Sequence, residues 1–385
     1  MLVSSAKGQL FQNILLRLDP QRILNAMDST DSWKFWKLNK DTDQAKNIEN
    51  LKDTIHRDFQ VSFLPFLGTN RKLSGNVVND YSLNILGGYS AGTEKAELGG
   101  LFNLNRGNVG KFQAAGLFNF NGGGIQGVQL AGLLNMNLRE SKGLQTAGLV
   151  NFNLRDVDGV QLSTILNSTG GNLHGLQASV LANYTHRDVE GTQLALLFNG
   201  ARKVKGSQIA LFNYSDSIQG IPFGLISIVK KGYHKIELSA DEVMPLNVSL
   251  RTGTRSFYNI LLGGIRPDDT NVNTYTFGYG IGSSPRLGKK TYLNVELSSQ
   301  QLTRGNLAAI NLITRFYLGF EYQITRYVGV FAGPSINWRL YDESYDFHPE
   351  TFTYTSPKLL SEHSFAANNL ADQFWIGGRF GVRFF

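Results

Sequence analysis

The chain has 385 residues and no cysteine, which excludes disulfide frameworks, zinc–thiolate sites and thiol chemistry. Its net charge of +7 is scattered without the basic–aromatic clusters of a nucleic-acid module, so the surplus is assigned to turns and a lumen, and no nucleic-acid partner is expected. High glycine (42), 25 Phe and 15 Tyr with many short apolar runs favour an all-β fold; no apolar run reaches the roughly 18 residues of a membrane helix, a length that a β-barrel does not need.

Residues 1–58 differ in kind from the rest. Leu10, Ile14 and Leu18 sit at helical spacing before Pro20, and Ile48, Leu51 and Ile55 repeat the pattern. Trp33, Phe35 and Trp36 lie between and are read as packing residues. The segment is expected to be a small helical periplasmic module or plug. The opening LVSSAKGQLFQNILLRLDP lacks a basic start, an apolar core and a small-residue cleavage site. Since an outer-membrane protein needs export, either the chain is a processed or trimmed form or a membrane reading fails.

From residue 59 onward the sequence reads as strands, and between about 96 and 220 it repeats. Asn103, Asn119, Asn135, Asn151, Asn167, Asn183 and Asn199 follow one another at steps of 16, with a further unit ending at Asn213. Gln113, Gln129, Gln145, Gln161, Gln177 and Gln193 precede these by six residues, and Gln208 precedes Asn213 by five. Gly127, Gly143, Gly159, Gly175, Gly191 and Gly206 come two before the Gln. Within a unit the odd positions keep Gln129, Ala131, Asn135 and Asn137, whereas the even ones, Val128, Leu130, Leu134 and Met136, are apolar and vary between units. Charges such as Arg139, Glu140 and Lys142 fall between units. Alternation over nine to eleven residues is a strand signal.

Two architectures fit a 16-residue unit of strand and turn: a β-solenoid, one coil per unit, or an up-and-down meander, one strand per unit. A soluble solenoid should be polar outside and apolar inside. Here the varying face is apolar and the repeated face carries amides, as in a barrel with lipid outside and a polar lumen. Eleven residues of strand and five of turn also keep the parity through antiparallel neighbours. The Gln and Asn ladders are read as satisfying one another's hydrogen bonds.

After the repeats the alternation continues. Leu312, Phe316, Leu318, Phe320 and Tyr322 oppose Arg315, Gly319 and Glu321; Val328, Val330, Ile336 and Trp338 oppose Gly329, Asn337 and Arg339; Ile376, Phe380 and Val382 oppose Arg379 and Arg383. Earlier strands place Leu250 against Arg251 and Val295 against Glu296. Arg251, Glu296, Arg315, Glu321, Arg339, Arg379 and Arg383 therefore join the amides as expected lumen residues. Tyr322, Tyr327, Trp338 and Tyr341 suit interfacial girdles. The short links at Gly253–Ser256 and Thr325–Arg326 point to the periplasm. The long segment 342–372, with Tyr345, His348, Pro349, Phe352, Tyr354 and His363, points to an extracellular contact surface. Parity gives about 18 strands in a transmembrane up-and-down antiparallel barrel over 59–385; the alternative is a solenoid of 16-residue repeats followed by a smaller barrel.

No nucleophile elbow, HExxH, P-loop or EF-hand loop is present, and the six histidines show no metal-ligand spacing, so no catalytic, metal or cofactor site is expected. The segments FQVSFLPFLGTN, YSLNILGGYSAG, ELGGLFN, the GxQxAGLxN units and GIPFGLISIVKKGYHKIELSADE resemble the surface-repeat outer-membrane proteins of Bacteroidota, over about residues 59–385. The resemblance implies a barrel in the bacterial outer membrane and, in some members, an extra N-terminal periplasmic module, without implying an activity. One departure is the ending, where Phe384 rather than Phe385 is in register with the apolar face. The expected function is non-enzymatic: a pore or a membrane component of an envelope assembly, in contact with outer-membrane lipid and other envelope proteins. The alternative is a soluble repeat module binding a protein or glycan.

Overall fold

A computed structural model describes residues 54–268, 273–304, 309–345, 349–365 and 369–384. The helical segment expected within 1–58 lies outside them up to residue 53; Ile55, read as helical by spacing, instead opens a strand, Ile55–Leu64. The described chain is all-β apart from one 3-10 turn, Arg71–Asn76. It falls into two compact units, residues 54–174 with 185–187 and residues 175–184 with 188–384.

In the first unit each 16-residue repeat is a coil of two strands, not one strand. The coil around Gln129 consists of Gln126–Ala131 and Leu134–Asn137, separated by a corner at Gly132–Leu133. Successive coils run parallel. Gln129 pairs with Gln145 and Gln145 with Gln161; Asn135 pairs with Asn151 and Asn151 with Asn167. An up-and-down meander requires antiparallel neighbours, so these repeats are not strands of an 18-stranded barrel; they form a solenoid-like stack. The two corners of each coil return the chain to the same side. Parallel stacking then sets identical residues over one another, and every amide finds an amide 16 residues away.

Apart from the corner residues such as Leu133, which parity puts inward and the structure exposes, the faces are those the alternation predicts. Gln113, Gln129, Asn119 and Asn135 are buried, and the even positions face out half-exposed. Inside the charged turns runs a narrow aliphatic row, Val109, Ile125, Val157 and Leu173. Gly127, Gly143 and Gly159 occupy the left-handed region at φ +141°, +110° and +144°. A Cβ on Gly143 would meet the carbonyl oxygen of Gly127 at 2.1 Å, so the coil-to-coil approach requires glycine there. The stack begins well before residue 96: Ile55–Leu64 pairs in parallel with Val77–Asn84 and antiparallel with Leu67–Gly68. That hairpin covers the end of the ladder, with Asn70 Nδ2 donating to Gln60 Oε1 at 2.7 Å and to Asn79 Oδ1 at 2.9 Å.

The second unit holds further coils, including Asp188–Leu194, Phe198–Ile209, Phe212–Phe223 and Ile226–Val229, past the expected limit of about 220. A closed antiparallel barrel of eight strands follows: Tyr233–Asp241, Leu246–Gly253, Tyr258–Arg266, Thr274–Ser283, Thr291–Thr303, Asn311–Gln323, Val328–Asp342 and Leu370–Phe384. Ile236 paired with Phe384, through Asp241 with Arg379, closes it. A further strand, Leu359–Phe365, extends the wall as a hairpin on the last one. Eight closed strands replace the eighteen expected because the repeats pair in parallel and the run of successive antiparallel pairings begins only after them. The all-β class and the pairing of a repeat stack with a smaller barrel are thus what the chain forms.

Candidate functional site

Two interiors, rather than one lumen, receive the residues singled out by the alternation. The first is the amide core of the coils. Asn135 Nδ2 donates to Asn151 Oδ1 at 2.9 Å and to the Thr146 carbonyl at 2.9 Å, while its Oδ1 accepts from Asn119 at 2.9 Å. The outer Asn row donates toward the C-terminus. The Gln row donates the other way: Gln161 to Gln145 at 2.9 Å, Gln145 to Gln129 at 3.0 Å, Gln129 to Gln113 at 2.8 Å. The two rows therefore carry opposed dipoles, and the Gln row is cross-linked to a second Asn row, Asn121, Asn137 and Asn153, through bonds such as Asn137 Nδ2 to Gln129 Oε1 at 2.8 Å. In the second unit Gln193 donates to Gln177 at 2.8 Å and Gln208 to Gln193 at 2.8 Å; Asn183 donates to Asn199 at 3.0 Å and Asn199 to Asn213 at 3.1 Å. The amides named here bond chiefly to one another, as burial of polar groups requires, although Gln208 Oε1 meets no partner.

Each row has a distinct end. Asn213 donates to Ser227 Oγ at 3.2 Å, which also accepts from the barrel residue Asn259 at 3.0 Å; Asn259 donates as well to the Pro222 carbonyl at 2.8 Å. The Asn row of this unit therefore terminates on a barrel side chain. In the first unit the Gln position is taken by Glu97, whose carboxylate accepts from Asn105 at 2.6 Å, Gln113 at 2.8 Å and Asn84 at 3.1 Å. Glu97 lies outside the barrel strands. Burial pushes its carboxyl up to about 7, against the three amide donors that favour the charged form.

The second interior is the barrel lumen, and it is filled. Arg251, Arg379 and Arg383 meet Glu237, Glu296 and Glu321. Arg251 contacts Glu237 at 2.7 Å and Glu296 at 2.9 Å. Arg383 contacts Glu237 at 2.7 Å, Glu296 at 2.9 Å and Glu321 at 2.6 Å, and Arg379 pairs with Glu237. Tyr258 donates to Glu296 at 2.8 Å, and Arg383 lies over the Phe331 ring at 4.4 Å. A second group joins Arg315 to Asp241 at 2.5 Å and to Asn337 at 2.8 Å, with Glu242 accepting from Trp375 at 2.9 Å and from Asn337 at 3.0 Å. Arg339 donates to Asn311 at 2.7 Å and stacks on Tyr341 at 4.0 Å.

The turn Asp241–Met244 tucks inward, and Val243 and Met244 pack with Leu302, Ile313 and Trp375. Part of the segment expected to form an outer contact surface folds onto this cluster instead. Phe352 meets Trp375 edge-on at 5.1 Å, Thr355 donates to the Glu242 carbonyl at 2.7 Å, and Tyr354 donates to the Asp241 carbonyl. Arg266 holds the Thr351 and Glu350 carbonyls at 2.9 and 2.5 Å. His348 lies outside the described residues. Sequence alternation marks inward positions but carries no signal for a loop returning over the mouth.

One cluster escaped sequence reading altogether. Ligand atoms of His56, Asp80 and Glu94 lie within 4.8 Å of one another on neighbouring strands, with His56 Nε2 3.0 Å from Glu94. Their separations in the chain match no metal motif; only parallel stacking brings them together. Lys95 already holds Asp80 at 2.7 Å, so a divalent cation bound there would have to displace it. Among the described residues no helix is long and apolar enough to cross a membrane. Comparison with protein-family models, curated proteins and solved structures finds no match.

Proposed function

We propose that this chain is a bacterial outer-membrane protein in which the eight-stranded barrel is a non-conducting, non-enzymatic anchor, making the chain a membrane component of a cell-envelope assembly. The carrying observation is the division of the barrel's faces. Ile236, Leu238, Phe316, Leu318, Phe320 and Phe380 point outward and exposed, while charged groups point inward with almost no exposure. A soluble sheet gains nothing from that arrangement; a bilayer requires it. Seven of the eight strands, 9 to 15 residues long, reach the roughly 9–11 residues of a tilted span, and Leu246–Gly253 has 8. Tyr322, Tyr327 and Trp338 are exposed near strand ends, where interfacial aromatics belong.

Of the two membrane roles, anchor is favoured over pore because eight strands leave an interior just wide enough for side chains, and here three Arg–Glu partners and an apolar cluster occupy it. A water-exposed binding module is disfavoured by the apolar outer rows of the coils. Placement among the Bacteroidota surface-repeat proteins is inferred from the resemblance of those sequence segments alone. Planar-bilayer recording of purified, refolded full-length chain is expected to show insertion without steady channels. Reproducible unitary conductance would overturn the anchor reading.

A further inference from the structure

The coils of the second unit have a two-toned exterior. One edge is charged, with Arg202 on Asp188 at 2.9 Å and Lys205 on Glu190 at 2.6 Å. The opposite edge is the corner between the two strands of each coil. It presents Leu181, Leu197, Leu211 and Leu225, each 37% to 42% exposed, flanked by Leu194, Ile209 and Phe223. Stacked corners make a continuous apolar ridge. The coils of the first unit carry the same corner, Leu101, Leu117, Leu133, Leu149 and Ile165.

Two observations say what covers the ridge of the second unit. Leu225, its last corner residue, lines a groove of about 810 Å³ together with Leu246, Val248, Leu250 and Phe277, which are outward residues of the barrel. Ridge and barrel exterior are therefore one apolar surface. Depth is the second. From Lys205 at the charged edge to Leu211 at the corner is six residues, about 20 Å at about 3.3 Å each, and on the next coil the outward apolar run Ile221, Phe223 and Leu225 spans about 13 Å. A hydrocarbon core is about 30 Å thick. The ridge is deep enough for one leaflet and too shallow for two.

Resting on the membrane reading of the barrel, we propose that the corner edge of these coils is immersed in a single leaflet of the bilayer, its occupant lipid acyl chains, with the charged edge at the headgroups. The outward positions flanking the corner change from coil to coil, as at Leu194, Ile209 and Phe223, while staying apolar, as lipid demands only apolarity and not shape. This makes the coils a half-membrane element beside a full-membrane one.

Because the chain lacks cysteine, single-cysteine variants of the full-length protein take one nitroxide each. Leu197→Cys and Leu211→Cys report the ridge, Lys203→Cys the charged edge and Phe320→Cys the barrel exterior, all in phosphatidylcholine vesicles. Collision with oxygen is expected to exceed collision with a water-soluble nickel chelate at the ridge and barrel positions, and the reverse is expected at position 203. Nickel access at both ridge positions with oxygen preference at position 320 overturns the leaflet proposal and leaves the barrel reading standing. Nickel access at position 320 as well overturns both. Shielding of the ridge from both reagents means that protein covers it, and also overturns the proposal.

Discussion

Asn135→Ala is the substitution that probes the coil interior most sharply. The side chain makes two donated bonds and one accepted bond, all at 2.9 Å, in a site with no exposure. At about 1 kcal/mol net for each bond the loss is about 3 kcal/mol, before any penalty for the orphaned Asn151 oxygen. That corresponds to roughly a hundredfold in a local opening equilibrium. Amide hydrogen exchange, read by mass spectrometry on the full chain at one fixed pH, is the assay. Backbone amides of Leu134–Asn137 and of the facing strand Val150–Asn153 are expected to exchange about a hundredfold faster than in the native chain. Leu134→Ala, on the outward face of the same strand, serves as the control and is expected to change exchange by less than about tenfold. Equal effects from the two variants would refute an amide-bonded core.

Glu97→Gln restores the residue type of the neighbouring coils. With the folded carboxyl raised from 4.5 to about 7, the native coil keeps its full stability only below about 4.5 and loses it as pH rises through about 7. The variant is expected to abolish that pH dependence and to exchange more slowly than the native chain near pH 8, by up to about 3 kcal/mol; an unchanged pH profile would count against the buried carboxyl. Nitroxides at Val128→Cys and Leu144→Cys sit on parallel-paired positions, with backbones about 5 Å apart across neighbouring strands, and should broaden each other strongly. Antiparallel neighbours would put them at opposite ends of their strands and give no broadening. Arg383→Ala leaves three buried carboxylates short of a partner and is expected to cost about 3–5 kcal/mol in barrel unfolding in detergent. A cost below about 1 kcal/mol would mean that the lumen is wet.

The sequence disclosed which residues point inward and hid how the units pair. Within a unit the alternation runs unbroken from Gln129 to Asn137, because the corner Gly132–Leu133 is two residues long and leaves parity unchanged. A straight strand and a bent coil therefore write the same pattern. The signals that separate them are the small residue and glycine at the corner, Ala131–Gly132, and the second glycine row at Gly127, whose positive φ suits a coil turn. The barrel strands were legible because long hairpins with alternating Arg or Glu and large apolar residues admit few other structures. The lumen network was legible only as a set of inward charges; that Arg251, Arg379 and Arg383 converge on Glu237, Glu296 and Glu321 depends on strand tilt and register. The His56, Asp80 and Glu94 cluster was illegible because it is assembled by parallel pairing across three strands.

Heat-modifiable migration of the full chain after extraction from membranes bears most directly on the barrel as a membrane anchor. The account predicts that the unheated sample runs as a compact, detergent-resistant species and shifts to a second position after boiling. A single position before and after boiling, with the protein recovered in the aqueous fraction, would contradict it.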